Sequence, residues 1–358
     1  MYLGDLITVS EACDLLNISR TTLSIYRKKY SVSNIKIKRE VKFSKTEILY
    51  KLYSKLNLPG QKVNLSLHTN TEFEAFRIDD TSYDLRKIEA PDGHGAISLL
   101  CHLVSEINKG KNIHLLINES NSFLKSMNFF GELKRHLNSN VFWNEDVFNN
   151  MANINHESII KLPIRRLGVV GAQTSIVDDL TVGLKKQGYS NDICSYIGWA
   201  MGELADNSAT HSKIHPSFVY FEQFGEDKRF LQFTIGDAGV GIPESLRKNE
   251  HYKSLNNKEA VLTSFKPYVS GRPDEEERGK GLTDVLMIAM ECGSRLLVES
   301  NGVGFSFSFD SGLDNFEVVS PLYKDDGTVI SILFIDGNFD SLERDDVKTY
   351  IDSCLEKI

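Results

Sequence analysis

The sequence has no run near the roughly 20 consecutive apolar residues that a membrane-spanning helix needs. Its N-terminus, Met1-Tyr-Leu-Gly-Asp5, lacks the basic stretch followed by an apolar one that marks a signal peptide. Cysteine is scarce: Cys13, Cys101, Cys194, Cys292 and Cys354 lie far apart with no paired spacing, which excludes a disulfide frame or a zinc motif. They read as reduced, mostly buried thiols of a cytoplasmic protein. No Ser-His-Asp, Walker or zinc constellation is present. What remains is an ordinary globular composition, 41% hydrophobic and 25% charged. At 358 residues the chain predicts two or three domains.

Charge is unevenly placed. Residues 1–62 hold 12 Lys and Arg against 5 Asp and Glu, a balance of +7, which leaves 29 against 44, or -15, for the rest. A basic head on an acidic body predicts that only the head meets a polyanion. Residues 1–56 read as helix, tight turn, helix, basic hairpin and a further helix. Thr8 or Ser10 caps the first helix, Glu11 to Leu16; Ser19 caps the second, which starts at Arg20 and buries Leu23 and Ile25. That second helix offers Arg20, Thr21, Thr22, Ser24, Arg27 and Lys28, side chains suited to base edges and phosphates in a major groove. Ile35 to Phe43 alternates apolar and basic residues, a hairpin with Arg39 and Lys42 on its cationic face. Ser44 and Glu47 predict a capping box on the next helix.

The segments Ile7-Thr-Val-Ser-Glu-Ala-Cys-Asp-Leu-Leu-Asn-Ile-Ser-Arg20 and Val41-Lys-Phe-Ser-Lys-Thr-Glu-Ile48 resemble the excisionase and MerR-type winged helix-turn-helix. The resemblance covers about the first 55 residues and implies DNA as a partner of residues 1–56. One such head contacts few phosphates, so tight binding calls for a homodimer. The other reading is a helical docking module for a protein partner.

Asn57-Leu-Pro-Gly60 reads as a linker. Over residues 62–157, strands are expected at Val63–Leu67, Phe73–Ile78 and Asn112–Asn118, with helices at Gly95–Ile107 and Leu124–Leu137. This alternation predicts a small α/β segment, similar in outline to STAS-type domains.

The informative stretch is 161–312. Tyr196 to His211 reads as one helix, on which Glu203 and Asn207 emerge one turn apart on one face, with His211 a turn further on. A carboxylate there can take a proton from an attacking water, and an amide oxygen can ligate a hard cation. The strand Leu231–Ile235 leads into Asp237-Ala-Gly239-Val-Gly241-Ile242. Its Asp can accept from an exocyclic amine such as that of adenine, while the glycines permit a sharp turn. Next, Arg278-Gly279-Lys280-Gly281-Leu282 opens a helix, Thr283 to Glu291, where backbone N–H groups and the helix dipole favour phosphates. Strands Ser294–Ser300 and Gly304–Phe309 follow.

In order and spacing these motifs resemble the GHKL superfamily, which includes histidine kinase catalytic domains, gyrase B, MutL, the large heat-shock chaperones and anti-sigma-factor kinases. The resemblance rests on Gly202-Glu-Leu-Ala-Asp-Asn-Ser-Ala-Thr-His-Ser212, Asp237-Ala-Gly-Val-Gly-Ile242 and Gly279-Lys-Gly-Leu282. It implies an α/β (α+β) Bergerat sandwich of mixed sheet and helices, binding ATP and Mg2+. Asn207 would bind magnesium, Asp237 the adenine amine, the glycine loops with Ile242, Lys280 and Leu282 the nucleotide, and Glu203 would be the general base. His211 matches the anti-sigma branch. Two departures stand out: Glu277 occupies a glycine position of the second loop, and Phe305 stands where a Gly-Thr pair is usual, leaving Ser306 as the substitute hydroxyl. Pro243 to Glu277 is expected to be a long mobile lid, and 313–358 a C-terminal extension. Three functions follow: an ATP-hydrolysing switch controlling DNA or partner binding, an anti-sigma-type serine protein kinase, or an ATP-sensing regulator without turnover.

Overall fold

The computed structural model describes residues 5–38, 40–57, 63–65, 73–137, 140–152, 161–167, 172–186, 188–211, 216–224, 230–271, 279–309, 315–335 and 344–358. Two compact units divide the chain, one of residues 1–65, 71–91 and 106–155, the other of 66–70, 92–105 and 156–358. No helix among the described residues is long and apolar enough to cross a membrane.

The first unit opens with β1 (Leu6–Thr8), α1 (Val9–Leu16), α2 (Arg20–Lys29), β2 (Ile35–Ile37), β3 (Glu40–Ser44) and α3 (Lys45–Ile48). Thr8 and Glu11 form a reciprocal capping box on α1, and Asn17 ends that helix in the left-handed region with φ 50°. Ser19 caps α2 by accepting from the Thr22 N–H at 3.1 Å. Ala12, Cys13, Leu16 and Leu23 join Phe43, Ile48 and Leu52 in a small core under the antiparallel sheet β1-β3-β2. Two details depart from expectation. Ile25 points outward, 59% exposed, because α2 turns Leu23 and the half-buried Tyr26 to that core. Ser44 does cap α3, but Glu47 turns away to the Ser33 N–H and Lys51 instead of closing a box.

The chain continues through a π turn, Leu49–Tyr53, into α4 (Ser54–Leu56), then β4 (Val63–Leu65), β5 (Arg77–Asp79), β6 (Ser82–Asp84) and β7 (Ile88–Pro91). After α5 (Gly93–Asn108) come β8 (Ile113–Leu116), α6 (Ser122–Ser126), α7 (Phe129–Leu137), β9 (Val141–Phe142) and α8 (Glu145–Asn150). Strands β5-β6-β8-β9 form a mixed sheet, antiparallel at β5/β6 and parallel beyond. The head is welded to this sheet, not strung on a linker. Buried Lys45 pairs with Asp79 at 2.8 Å and donates to Thr81 at 2.8 Å, and the Tyr50 hydroxyl accepts from the Ile117 N–H at 2.8 Å. The helix expected over Leu124–Leu137 is broken at Asn128, which takes φ 66°.

The second unit holds β10 (Lys161–Leu167), α9 (Ala172–Lys186), α10 (Asn191–His211), β11 (Ser217–Phe224), β12 (Phe230–Asp237), α11 (Gly241–Leu246) and α12 (Asn257–Thr263). Then follow α13 (Gly281–Glu291), β13 (Arg295–Ser300), β14 (Val303–Ser308), β15 (Asn315–Val319), β16 (Thr328–Ile335) and α14 (Arg344–Leu355). Seven strands form one sheet in the order β10-β11-β12-β16-β13-β14-β15, antiparallel throughout. On one face, Leu231, Phe233, Ile235, Ile330 and Ile332 share a core with α9, α10, α12, α13 and α14. The period of two turns Gln232, Thr234, Gly236 and Ser331 to the other face. There the first turns of α5 lie so close that a Cβ on Gly236 would meet Ile97 at 2.6 Å and Cys101 at 3.1 Å. His94 of α5 contacts Ser331 at 2.8 Å and Glu299 at 3.3 Å. The architecture is therefore an α+β sandwich, as the resemblance implied, although its sheet is antiparallel throughout where a mixed one was expected.

Three boundaries shift. Residues 92–105 belong to this sheet's unit. Residues 313–358 are no appendage: β16 runs between β12 and β13, and Val347, Ile351 and Cys354 of α14 are fully buried. The expected lid is not all exposed loop, since Ala260, Val261, Leu262 and Phe265 within it are fully buried. Residues 272–278, with Glu277 and Arg278, lie outside the described residues.

Candidate functional site

A cavity of about 500 Å³ opens in the second unit, within the range of small-molecule sites. Helix α10 lines it with Glu203 and Asn207, the end of β12 with Asp237, α11 with Gly241 and Ile242, and the α13 entrance with Gly279, Lys280, Gly281 and Leu282. Nine of the residues singled out from sequence thus converge on one space. Strand β16 adds Thr328 and Ile330, and Val269, Ser270 and Gly271 close another side.

The tightest geometry is at Gly281. A Cβ there would stand 2.6 Å from Glu203 Oε2 and 3.1 Å from Asn207 Nδ2. A larger first residue on α13 would therefore push the ends of the Glu203 and Asn207 side chains aside. Among the described residues no side chain caps α13, whose entrance lines the cavity, so its first N–H groups are available to a ligand there. Lys280 lies beside them, its Nζ 5.6 Å from the ring centroid of Tyr268, whose N–H donates to the Gly279 carbonyl at 2.8 Å. Glu203 Oε1 accepts from the indole N–H of Trp199, one turn earlier on α10, at 3.3 Å.

Asp237 ends β12, a strand buried at every position but Phe230, and is itself 8% exposed. Its Oδ1 accepts from the Gly239 N–H at 2.8 Å. Burial pushes its carboxyl up from 3.8 to about 6, a rise that the Gly239 hydrogen bond only partly offsets. A carboxylate so poised is short of donors and suits a ligand that brings an N–H. The sharp turn belongs to Gly241, with φ 77°, whereas Gly239 serves Asp237 and does not line the cavity.

Ser306 sits on β14, paired with Leu297 and Glu317, and is not part of the lining. The hydroxyl next to Asp237 is Thr328, its register partner across β12 and β16. A Gly-Thr pair does stand in the sequence as Gly327-Thr328, 23 residues beyond the position expected at 304–305. His211 ends α10, and its side chain lies outside the described residues.

The nucleic-acid candidates lie in the first unit. Arg20, Thr21, Ser24 and Lys28 are exposed on α2; Thr22 and Arg27 are half-buried, with Thr22 Oγ1 2.9 Å from Ser19 Oγ. Lys42 is half-buried on β3 and 3.8 Å from Glu40, and Arg39 lies outside the described residues.

No family model matches the chain, and no curated protein matches it. Among solved structures it is similar to the 43K ATPase domain of Thermus thermophilus gyrase B in complex with an aminocoumarin, at 18% identity and a TM-score of 0.23. That likeness covers 42% of this chain and only 38% of the gyrase chain. It is also similar to the topoisomerase IV ATP-binding domain of Francisella tularensis in complex with a small-molecule inhibitor, at 12% identity and a TM-score of 0.20, covering 56% and 88% of the two chains.

Proposed function

We propose that the chain binds ATP with magnesium in this cavity and hydrolyses it, as a switch that controls how the N-terminal helix-turn-helix engages DNA. The observation that carries the reading is the Gly281 contact. It joins the uncapped start of α13, which suits phosphates, to Glu203 and Asn207, which suit a water and a hard cation. Asp237 at the strand end of the same cavity suits the adenine amine. Asn207 would hold the magnesium ion through its amide oxygen, and the ion would neutralise triphosphate charge. Glu203 would accept the proton of the attacking water, with Trp199 orienting its carboxylate. The exposed cationic and hydroxyl side chains of α2 support the DNA reading.

The test is ATP turnover by wild type, Glu203→Ala and Asn207→Ala, each with and without duplex DNA. Turnover that falls at least about a hundredfold in Glu203→Ala agrees with a general base there. An unaltered rate in Glu203→Ala sinks hydrolysis by this site. Two other readings appear as outcomes of the same assay. Label transferred from ATP to a protein serine marks the anti-sigma-type kinase. Magnesium-dependent binding with no phosphate release marks the sensor without turnover.

A further inference from the structure

Three neighbouring strands bring Asp237, Thr328 and Ser300 side by side, because Thr328 of β16 is the register partner of both Asp237 on β12 and Ser300 on β13. Asp237 and Thr328 line the cavity. Ser300 does not; it is fully buried.

The Ser300 Oγ meets four polar atoms. The Ile242 N–H donates to it at 2.9 Å. The Gly327 carbonyl oxygen lies 2.7 Å away, Asn301 Oδ1 3.0 Å and Thr328 Oγ1 3.0 Å. A hydroxyl has one proton and two lone pairs. The Gly327 carbonyl and Asn301 Oδ1 can only accept. The Asn301 amide is fixed that way round because its Nδ2 donates to the Val240 carbonyl at 3.1 Å. One of these two acceptors therefore takes the Ser300 proton. The Ile242 N–H occupies one lone pair of Ser300, so the bond to Thr328 uses the other, and Thr328 is the donor. Having given its proton to Ser300, Thr328 shows the cavity only lone pairs.

We infer that Ser300 is a positioning residue for base selectivity, holding the Thr328 hydroxyl so that Thr328 and Asp237 form an acceptor-only pair. This rests on the nucleotide reading above. Such a pair matches the exocyclic amine of adenine. It mismatches the carbonyl oxygen that guanine or hypoxanthine carries at the same ring position, which would lose its water hydrogen bonds and gain none. Sites built around a hydrogen-bonding group reject an analogue lacking it far better than shape alone does.

The experiment is calorimetric titration of the full chain, with magnesium, using ATP and inosine triphosphate, which has the carbonyl in place of the amine. Wild type should prefer ATP by at least about tenfold. In Ser300→Ala the Thr328 proton is free to turn into the cavity, so the preference should fall by about tenfold, largely through tighter inosine triphosphate binding. An unchanged ratio in a folded Ser300→Ala protein, or equal weakening of both nucleotides, overturns the inference and leaves ATP binding standing. Should Ser300→Ala fail to fold, Thr328→Val decides: loss of the preference supports the inference and a preserved ratio overturns it. Wild type that binds neither nucleotide overturns the nucleotide reading and this inference together.

Discussion

At the scale of single residues, Asp237 sets recognition against stability. Its carboxyl titrates near 6 in the folded chain, against 3.8 for the ordinary group, because burial opposes its charge. Between those two values the folded state holds the proton longer than the unfolded state does. Stability is therefore greatest below the unfolded pKa and declines as pH rises through about 6, leaving a cost on the order of 3 kcal/mol at neutral pH. Asp237→Asn removes the buried charge, so it should melt at a higher temperature than wild type at neutral pH and bind ATP about tenfold more weakly. Wild-type ATP affinity should drop as pH falls below about 6, as the carboxylate is protonated. A melting temperature that falls in Asp237→Asn, or an affinity flat across that pH range, would contradict the burial argument. Gly281 shows the same tension. Gly281→Ala should gain up to about 1 kcal/mol of helix propensity on α13. Its methyl would nonetheless displace the Glu203 carboxylate, and a shift of that size at reacting groups costs about a hundredfold in turnover. Phosphate release and thermal melting, measured together, should move in opposite directions.

At the scale of elements, α2 offers the clearest case. Thr21, Ser24, Ile25 and Lys28 fall at spacings of three, four and seven, and all are exposed, so they form one face. An apolar residue amid hydroxyls and a cation suits a major groove, where thymine methyls lie among base edges. Ile25→Ala should change folding stability by less than about 0.5 kcal/mol yet alter which sequences the protein selects from random duplexes. Lys28→Ala should weaken binding to all sequences and lower the salt slope by about one. Identical sequence selection by Ile25→Ala would place that face away from the bases. Elements like α2 were legible because caps and periodicity are local: Thr8, Ser19 and Ser44 sit where helices begin. The break at Asn128 was not legible, since apolar spacing runs on through it while the backbone turns left-handed. Ile25 lies outside because Leu23, Tyr26 and Tyr30, at spacings of three and four, mark the face that meets the core.

At the scale of the whole molecule, the site could be read only in part, because its members come from strands whose order is not their sequence order. Glu203, Asn207, Asp237 and Gly281 stand in motifs that carry their own chemistry. Thr328 does not, and nothing local says that β16 enters between β12 and β13 beside Asp237. The same insertion makes the C-terminal residues indispensable. Strand β16 pairs eight residues with β12 and six with β13, and without it both strands lose a partner along the centre of the sheet. Helix α14 adds three fully buried apolar side chains, Val347, Ile351 and Cys354. At about 1.5–3 kcal/mol for each large apolar side chain, its removal costs on the order of 5 kcal/mol. A typical domain has only about 5–15 kcal/mol in total. A chain ending at residue 343 should therefore unfold at much lower urea but still bind ATP at low temperature, its sheet being complete. A chain ending at 312 should lose both the cooperative transition of the second unit and ATP binding, as read by circular dichroism and titration. Wild-type affinity in the chain ending at 312 would mean that β12 and β13 close the cavity without β16, and that Thr328 has no part in the site.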